Sequence, residues 1–279
     1  MASAEQPDPQ QLTANVVQPG LTTRFLGQRM VYCEAVDSTN SAAKALAQVG
    51  AAEGTLVLAE EQTAGRGRWG RAWLAPRGTS LLFSLILRPL LAASRVQGLT
   101  MACSLAVREA VREVTGLQAQ LKWPNDVMLR GRKVGGILTE TSSAGDWLEY
   151  AVVGIGLNVN LPLGALPAEF QATSLQQELG RTVSRLQLLQ HTLMQIERRY
   201  LVLLSGEWPG KDWAAALETL GQRVWLHTGQ GDCQGTAVDV DDEGALLLRL
   251  DDGRVQRVLV GDVVPHSPVP GNGREKDKP

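Results

Sequence analysis

The chain has 279 residues, 44% of them apolar, which is room for one large domain plus a small one and for a sizeable core. Lys+Arg 27 against Asp+Glu 29 leave a net charge of −2, so wrapping nucleic acid through bulk charge is disfavoured. The three cysteines, Cys33, Cys103 and Cys233, lie far apart without a CxxC pair, which excludes a zinc ribbon or dithiol motif and points to a reducing compartment. No apolar run reaches the roughly 18 residues of a membrane span, and the N-terminus lacks a basic region followed by an apolar core. The expectation is a cytoplasmic protein with no membrane partner.

Residues 1–20, rich in Gln, Pro and Ala, are expected to form a disordered tail, and so is 265–279, which alternates Pro, Gly and charge. Asp37-Ser38-Thr39-Asn40 precedes apolar residues at Ala42, Ala45, Leu46 and Val49. That is helical spacing, with Asp37 or Ser38 as the cap and Gly50 as the stop. Thr55 to Glu60 and Ser80 to Arg88 read as strands. Between them Gly65-Arg66-Gly67-Arg68-Trp69-Gly70-Arg71 is too glycine-rich for regular structure. Val96 to Val114 marks a second amphipathic helix stopped at Gly116. Leu121 to Met128, Lys133 to Thr139 and Glu149 to Val159 read as strands, with a hairpin turn at Ser142 to Asp146. Leu186 to Leu203 is a third, long helix. From Gly221 the pattern changes to short strands at Arg223 to Leu226, Gln234 to Val240, Ala245 to Leu250 and Arg254 to Val260, separated by Gly- and Asp-bearing turns. A larger domain over 21–218, α/β or α+β, and an SH3-like domain over 219–264 follow.

Four segments carry candidate chemistry. In Gly65 to Arg71, glycines let backbone N–H groups approach an anion, and arginines offer planar forks for phosphate or carboxylate. A single copy between strands reads as a closing ligand loop rather than an RGG-type nucleic-acid tract. In Lys122-Trp123-Pro124-Asn125-Asp126, Lys suits a phosphate, and Asn and Asp suit a ribose, an adenine edge or hydrated magnesium; a plain Asx-capped turn is the alternative. Lys133-Val134-Gly135-Gly136-Ile137-Leu138 starts a strand with a lysine, and its glycines are sites of close approach by ligand or, alternatively, a bulge. Gly154-Ile155-Gly156-Leu157-Asn158 has no GxGxxG, and no Walker lysine motif, GxSxG elbow or HExxH occurs.

These segments in this order resemble the biotin–protein ligase family, over roughly residues 30 to 264: Asp37 to Asn40 as DSTN, Gln62 to Arg71 as QTAGRGRWGR, Lys122 to Asp126 as KWPND, Lys133 to Leu138 as KVGGIL, and Gly154 to Asn158 as GIGLN. The resemblance implies an α+β fold: a central mixed sheet with flanking helices, of the class II aminoacyl-tRNA synthetase-like, biotin–lipoate ligase type, plus a small C-terminal SH3-like β-barrel. It implies two-step chemistry. Biotin and MgATP give biotinyl-5′-AMP and pyrophosphate, and a lysine of a biotin carboxyl carrier domain then takes the biotin and releases AMP.

Carried over residue by residue, the resemblance places Ser38, Thr39, Asn40 and Gln62 at the biotin ring, and Gly65, Arg66, Gly67 and Arg68 around its carboxylate and the phosphate. Lys133 is the first choice of catalytic cation, with Arg66, Arg68 and Lys122 in the same catalytic set, and Gly136 joins Lys133 in binding biotin. Trp73 (otherwise plain core), Arg68, Asn125, Asp126 and Asn158 fall on the ATP side, with Asp126 as the Mg²⁺ ligand. Lys122 is assigned either to the phosphates or to deprotonation of the incoming lysine. Only 36 residues precede Asp37, so a monofunctional ligase that binds no DNA is expected, as monomer or homodimer. Trp69 stands where some members have Arg or Lys. The alternatives are a lipoate–protein ligase and a non-catalytic biotin sensor.

Overall fold

The computed structural model describes residues 11–162, 164–167, 170–229 and 231–264. Helices are α1 (Ala14–Val17), α2 (Thr39–Gln48), α3 (Gln97–Thr115), α4 (Leu175–Leu179), α5 (Arg185–Leu204) and α6 (Gly210–Ala216). Strands are β1 (Met30–Cys33), β2 (Leu56–Ala59), β3 (Ser80–Leu87), β4 (Gln120–Lys122), β5 (Asp126–Leu129), β6 (Arg132–Ala144), β7 (Trp147–Asn158), β8 (Arg223–Thr228), β9 (Gly231–Val240), β10 (Leu246–Arg249), β11 (Val255–Val258) and β12 (Asp262–Val264).

Seven strands form one sheet in the order β1-β2-β3-β7-β6-β5-β4. Only β1 and β2 pair in parallel; the other five pairings are antiparallel, so the sheet is mixed. Every residue of β3 is buried, as befits a strand covered on both faces. On one face α2 packs Ala43 and Ala47 against Val57, Ile86 and Val152. On the other, α3 and α5 pack on each other and on residues of opposite parity, such as Leu56, Leu85 and Val153. In α3 the predicted positions Leu99, Cys103, Val107, Ala110 and Val111 are buried, and Gly116 ends the helix at φ 78°.

Three expectations need correction. Residues 11–20 are not a disordered tail: Leu12 and Val17 are buried, the Leu12 N–H donates to Glu60 Oε1 at 3.0 Å, and α1 lies there. Residues 1–10 and the predicted C-terminal tail, 265–279, lie outside the described residues. Leu121 to Met128 is not one strand but two, β4 and β5, reversing at Trp123-Pro124-Asn125. Trp123 is buried and donates its indole N–H to Gly244 O at 3.0 Å, so the turn is pinned to the C-terminal sheet. Finally, the β6–β7 hairpin extends further than expected, with its turn only at Gly145-Asp146.

The C-terminal sheet is all antiparallel, in the order β11-β10-β9-β8-β12. Its last strand, β12, has three residues, too few for a period to show in the sequence.

Candidate active site

A cavity of about 600 Å³ opens between the large sheet and the C-terminal one. At its floor, the segment entering α2 is held by side chains rather than by its own cap. The Ser38 hydroxyl makes no capping bond; instead Gln62 Oε1 accepts from Thr39 N at 2.8 Å and from Thr39 Oγ1 at 3.1 Å. Ser84, buried on β3, donates to Asn40 Oδ1 at 2.6 Å and lies 2.8 Å from Thr39 Oγ1. Asn40 Nδ2 donates to Glu140 Oε2 at 2.9 Å, and Lys44 Nζ binds the other oxygen at 2.8 Å. Burial pushes the Glu140 carboxyl up, but the bonds from Lys44 and Asn40 outweigh it and hold the group below its usual range. An acceptor-only carboxylate thereby fixes which way the Asn40 amide points. Gly154 lies against that amide: a Cβ there would sit 2.0 Å from Asn40 Oδ1.

The middle of the cavity is built on Trp73. Its ring lies on Gly156, where a Cβ would meet Cε2 at 2.6 Å. Lys133 Nζ stands 5.6 Å from the ring centroid and 2.6 Å from Asp126 Oδ1. The Lys133 backbone is clamped as well: its N–H donates to Gln171 O at 3.0 Å, and its carbonyl accepts from Thr173 N at 2.9 Å. Asn125 Nδ2 donates to Ile137 O at 2.7 Å. Asn158 donates to Thr173 O at 3.1 Å, but among the described residues its buried Oδ1 has no partner, nor has the Trp73 indole N–H. Two orphaned polar atoms in one cavity wall are what a bound polar ligand would satisfy.

The arginine loop is an ordered turn, with Gly67 N donating to Arg71 O at 2.7 Å and Trp73 N to Gly65 O at 2.9 Å. Trp69, half-exposed, adopts φ 57° at its tip. Arg68 reaches across to β12, donating to Gly261 O at 2.8 Å and pairing with Asp262 Oδ1 at 2.6 Å; Arg71 pairs with Asp262 Oδ2 at 2.8 Å. The cavity is therefore lined by five cationic side chains, Arg66, Arg68, Arg71, Lys122 and Lys133, against three carboxylates, Asp126, Glu218 and Asp262. That excess suits an anionic ligand.

Ser38, Thr39, Asn40, Gln62, Arg66, Gly67, Arg68, Trp73, Lys122, Asn125, Asp126, Lys133, Gly136 and Asn158 all line this one cavity. Gly65 does not. It is buried behind the loop, where a Cβ would collide with Trp73 O at 2.8 Å, so its glycine serves the loop's fold. Asp126 is occupied by Lys133, and the described residues contain no group of three or more metal-ligating side chains. Sequence reasoning missed Ser84, Glu140, Glu218 and Asp262. Ser84 is a hydroxyl within an apolar strand, Glu140 lies in a polar stretch of β6, and Glu218 and Asp262 flank the C-terminal sheet, all without a local pattern. Among the described residues, no helix is long and apolar enough to cross a membrane.

Comparisons with known proteins agree with this geometry. The biotin/lipoate A/B protein ligase family matches residues 32–158, and the biotin protein ligase C-terminal domain matches 219–264. The chain is 38% identical to the biotin–[acetyl-CoA-carboxylase] ligase of Paracoccus denitrificans, over 78% of this chain and 93% of that one. It is 37% identical to the bifunctional ligase/repressor BirA of Bacillus subtilis, over 91% and 79%. The biotin protein ligase of Aquifex aeolicus, solved in complex with biotin and ATP, superposes with a TM-score of 0.72 at 30% identity, over 85% of this chain and 98% of that one. The chain belongs to the biotin protein ligase family.

Proposed function

We propose that the chain activates biotin with ATP as biotinyl-5′-AMP and transfers the biotin to a lysine of a biotin carboxyl carrier domain. The observation that carries this reading is the convergence of all five sequence segments on one cation-rich cavity with two orphaned polar atoms. Biotin's carboxylate must approach the α-phosphate of ATP, and two anions meet only where fixed cations offset their repulsion. Lys133, steered by Asp126 and the face of Trp73, stabilises charge on the reacting carboxylate and phosphate. Arg66, Gly67 and Arg68 wrap the same groups. Thr39, Asn40 and Gln62, locked by Ser84 and Glu140, present fixed polar atoms to the biotin ring beside Ser38 and Gly136. Asn125 and Asn158 take the nucleotide, with Asn158 Oδ1 free to accept from a ribose hydroxyl.

Were Mg²⁺ bound with the nucleotide, the substrate phosphates would be its main ligands, and Asp126, here paired with Lys133, would be its one carboxylate. The loop over residues 65–71 shields the mixed anhydride from water.

The test is ATP–pyrophosphate exchange with biotin and, separately, with lipoate. Exchange with biotin alone is expected. Exchange with lipoate would make the chain a lipoate–protein ligase, and binding of biotin without exchange would make it a sensor.

A further inference from the structure

Glu218 has no part in the chemistry above. It follows α6 at the junction between the two sheets and lines the cavity. Its position is set by backbone. Its N–H donates to Leu121 O at 2.8 Å, Leu217 bridges Leu121 in parallel, and the next residue, Thr219, accepts from Trp123 N through Oγ1 at 3.0 Å. The segment thus runs beside β4 and sets the Glu218 side chain on the same wall as Lys122.

The other two carboxylates of the cavity are neutralised, Asp126 by Lys133 and Asp262 by Arg68 and Arg71. The side chain of Glu218, half-buried, makes no hydrogen bond or ion pair among the described residues, and the charge that acts on it is that of Lys122. Among the described residues the Lys122 side chain has no hydrogen-bonded or ion-paired partner either, and Glu218 is the carboxylate that feels its charge. Desolvating a carboxylate without pairing it opposes folding, so a free carboxylate held by backbone in a reaction cavity marks a function. Burial, partly offset by Lys122, raises the Glu218 carboxyl above its ordinary value, which makes it a better base.

We propose that Glu218 is the general base of the transfer step, taking the proton that the acceptor lysine loses as it attacks the activated biotin. This rests on the ligase reading above. The neutral lysine amine bonds to the carbonyl carbon of biotinyl-5′-AMP. Its nitrogen becomes cationic and its N–H acidic, and that proton passes to the Glu218 carboxylate. The carbonyl re-forms as the carbon–oxygen bond to AMP breaks, and AMP leaves with the electron pair. Glu218 then returns the proton to water. Lys122, alongside, disfavours a second positive charge and so keeps the incoming amine neutral. Adenylate formation transfers no proton from an amine and does not use Glu218.

The test separates the two half-reactions in Glu218→Gln, which keeps the shape and removes the base. Biotin-dependent pyrophosphate exchange is expected to stay within roughly threefold of wild type. Single-turnover transfer from preformed biotinyl-5′-AMP to a biotin carboxyl carrier domain is expected to slow by about a hundredfold. Consumption of the same adenylate by hydroxylamine, a far weaker base than lysine, should not change. Glu218→Asp, which retains a carboxylate, should recover part of the transfer rate. Unchanged transfer in Glu218→Gln would overturn the proposal, as would an equal loss in exchange and transfer or an equal loss with hydroxylamine. Wild-type protein without biotin-dependent exchange would overturn the ligase reading itself, and this proposal with it.

Discussion

Gly156→Ala is a one-methyl probe of the cavity's central wall. Gly156 sits inside β7, paired with Gly136 on one side and Leu82 on the other, in a strand conformation that alanine adopts freely. Any effect is therefore steric and falls on Trp73. The new Cβ would lie 2.6 Å from Cε2, and ordinary contact begins near 3.4 Å, so the ring must withdraw by about 0.8 Å. Overpacking in a closed core costs about 1–3 kcal/mol. Here the ring borders open cavity and tilts into it, so the stability loss should lie near 1 kcal/mol, a fall in Tm of roughly 2–4 °C. The larger loss is in binding. The ring gives up its contact with Lys133, worth about 0.5–1 kcal/mol, and enters space the ligands need. Together these predict a fall of about tenfold in kcat/KM for biotin-dependent pyrophosphate exchange. A double-mutant cycle decides the cause. In a Trp73→Ala background the added methyl meets nothing, so Gly156→Ala should be nearly silent there, with a coupling of about 1 kcal/mol or more. A Gly156→Ala defect that persists at full size without the Trp73 ring would refute the steric argument.

Lys133→Ala should lower adenylate formation more than tenfold, over about 1.4 kcal/mol of barrier; pyrophosphate release near the wild-type rate would remove Lys133 from catalysis. Biotin plus ATP should raise Tm and protect residues 63–71 from protease, because ligand contacts hold the loop shut; unchanged cleavage would end the closure argument. Glu140 has a native carboxyl held below its ordinary value by Lys44 and Asn40, against the opposing pull of burial. Its contribution to stability is therefore complete above the ordinary carboxylate range and is lost as pH falls through the depressed value. Glu140→Gln should flatten that stretch of the acid-unfolding curve, and an unchanged slope would contradict the pairing.

The elements legible in the sequence were those whose period survives over two turns or five residues. α3 and α5 announce themselves by apolar spacing and by Gly116, and β3 by eight buried residues in a row. What failed did so for physical reasons. Residues 11–20 have a polar composition, yet two apolar side chains, Leu12 and Val17, are enough to dock them where Glu60 takes the Leu12 amide. KWPND interrupts an apolar run whose flanks both look like strand, and the antiparallel pairing of β4 with β5, with Trp123 buried and bonded to Gly244, shows it to be a reversal.

Within the site the division is sharper. Cavity residues that sit in a dense local motif were visible, because glycine, arginine and lysine crowded together suit the approach of an anion. Residues that act on those residues were not. Asp262 holds Arg68 and Arg71 from 194 and 191 positions away, Glu140 orients Asn40 from the far end of β6, and Glu218 stands beside Lys122 only because α6 returns the chain to β4. Each is one carboxylate in a neighbourhood that reads as surface. Asp262 and Glu218 come from the edges of the C-terminal sheet, at its last strand and just before its first, so that sheet is part of the cavity wall and not an appendage to it. A chain cut at residue 218 would keep every recognisable motif and lose the carboxylate that anchors the arginine loop, along with the indole anchor at Gly244 that holds the KWPND turn.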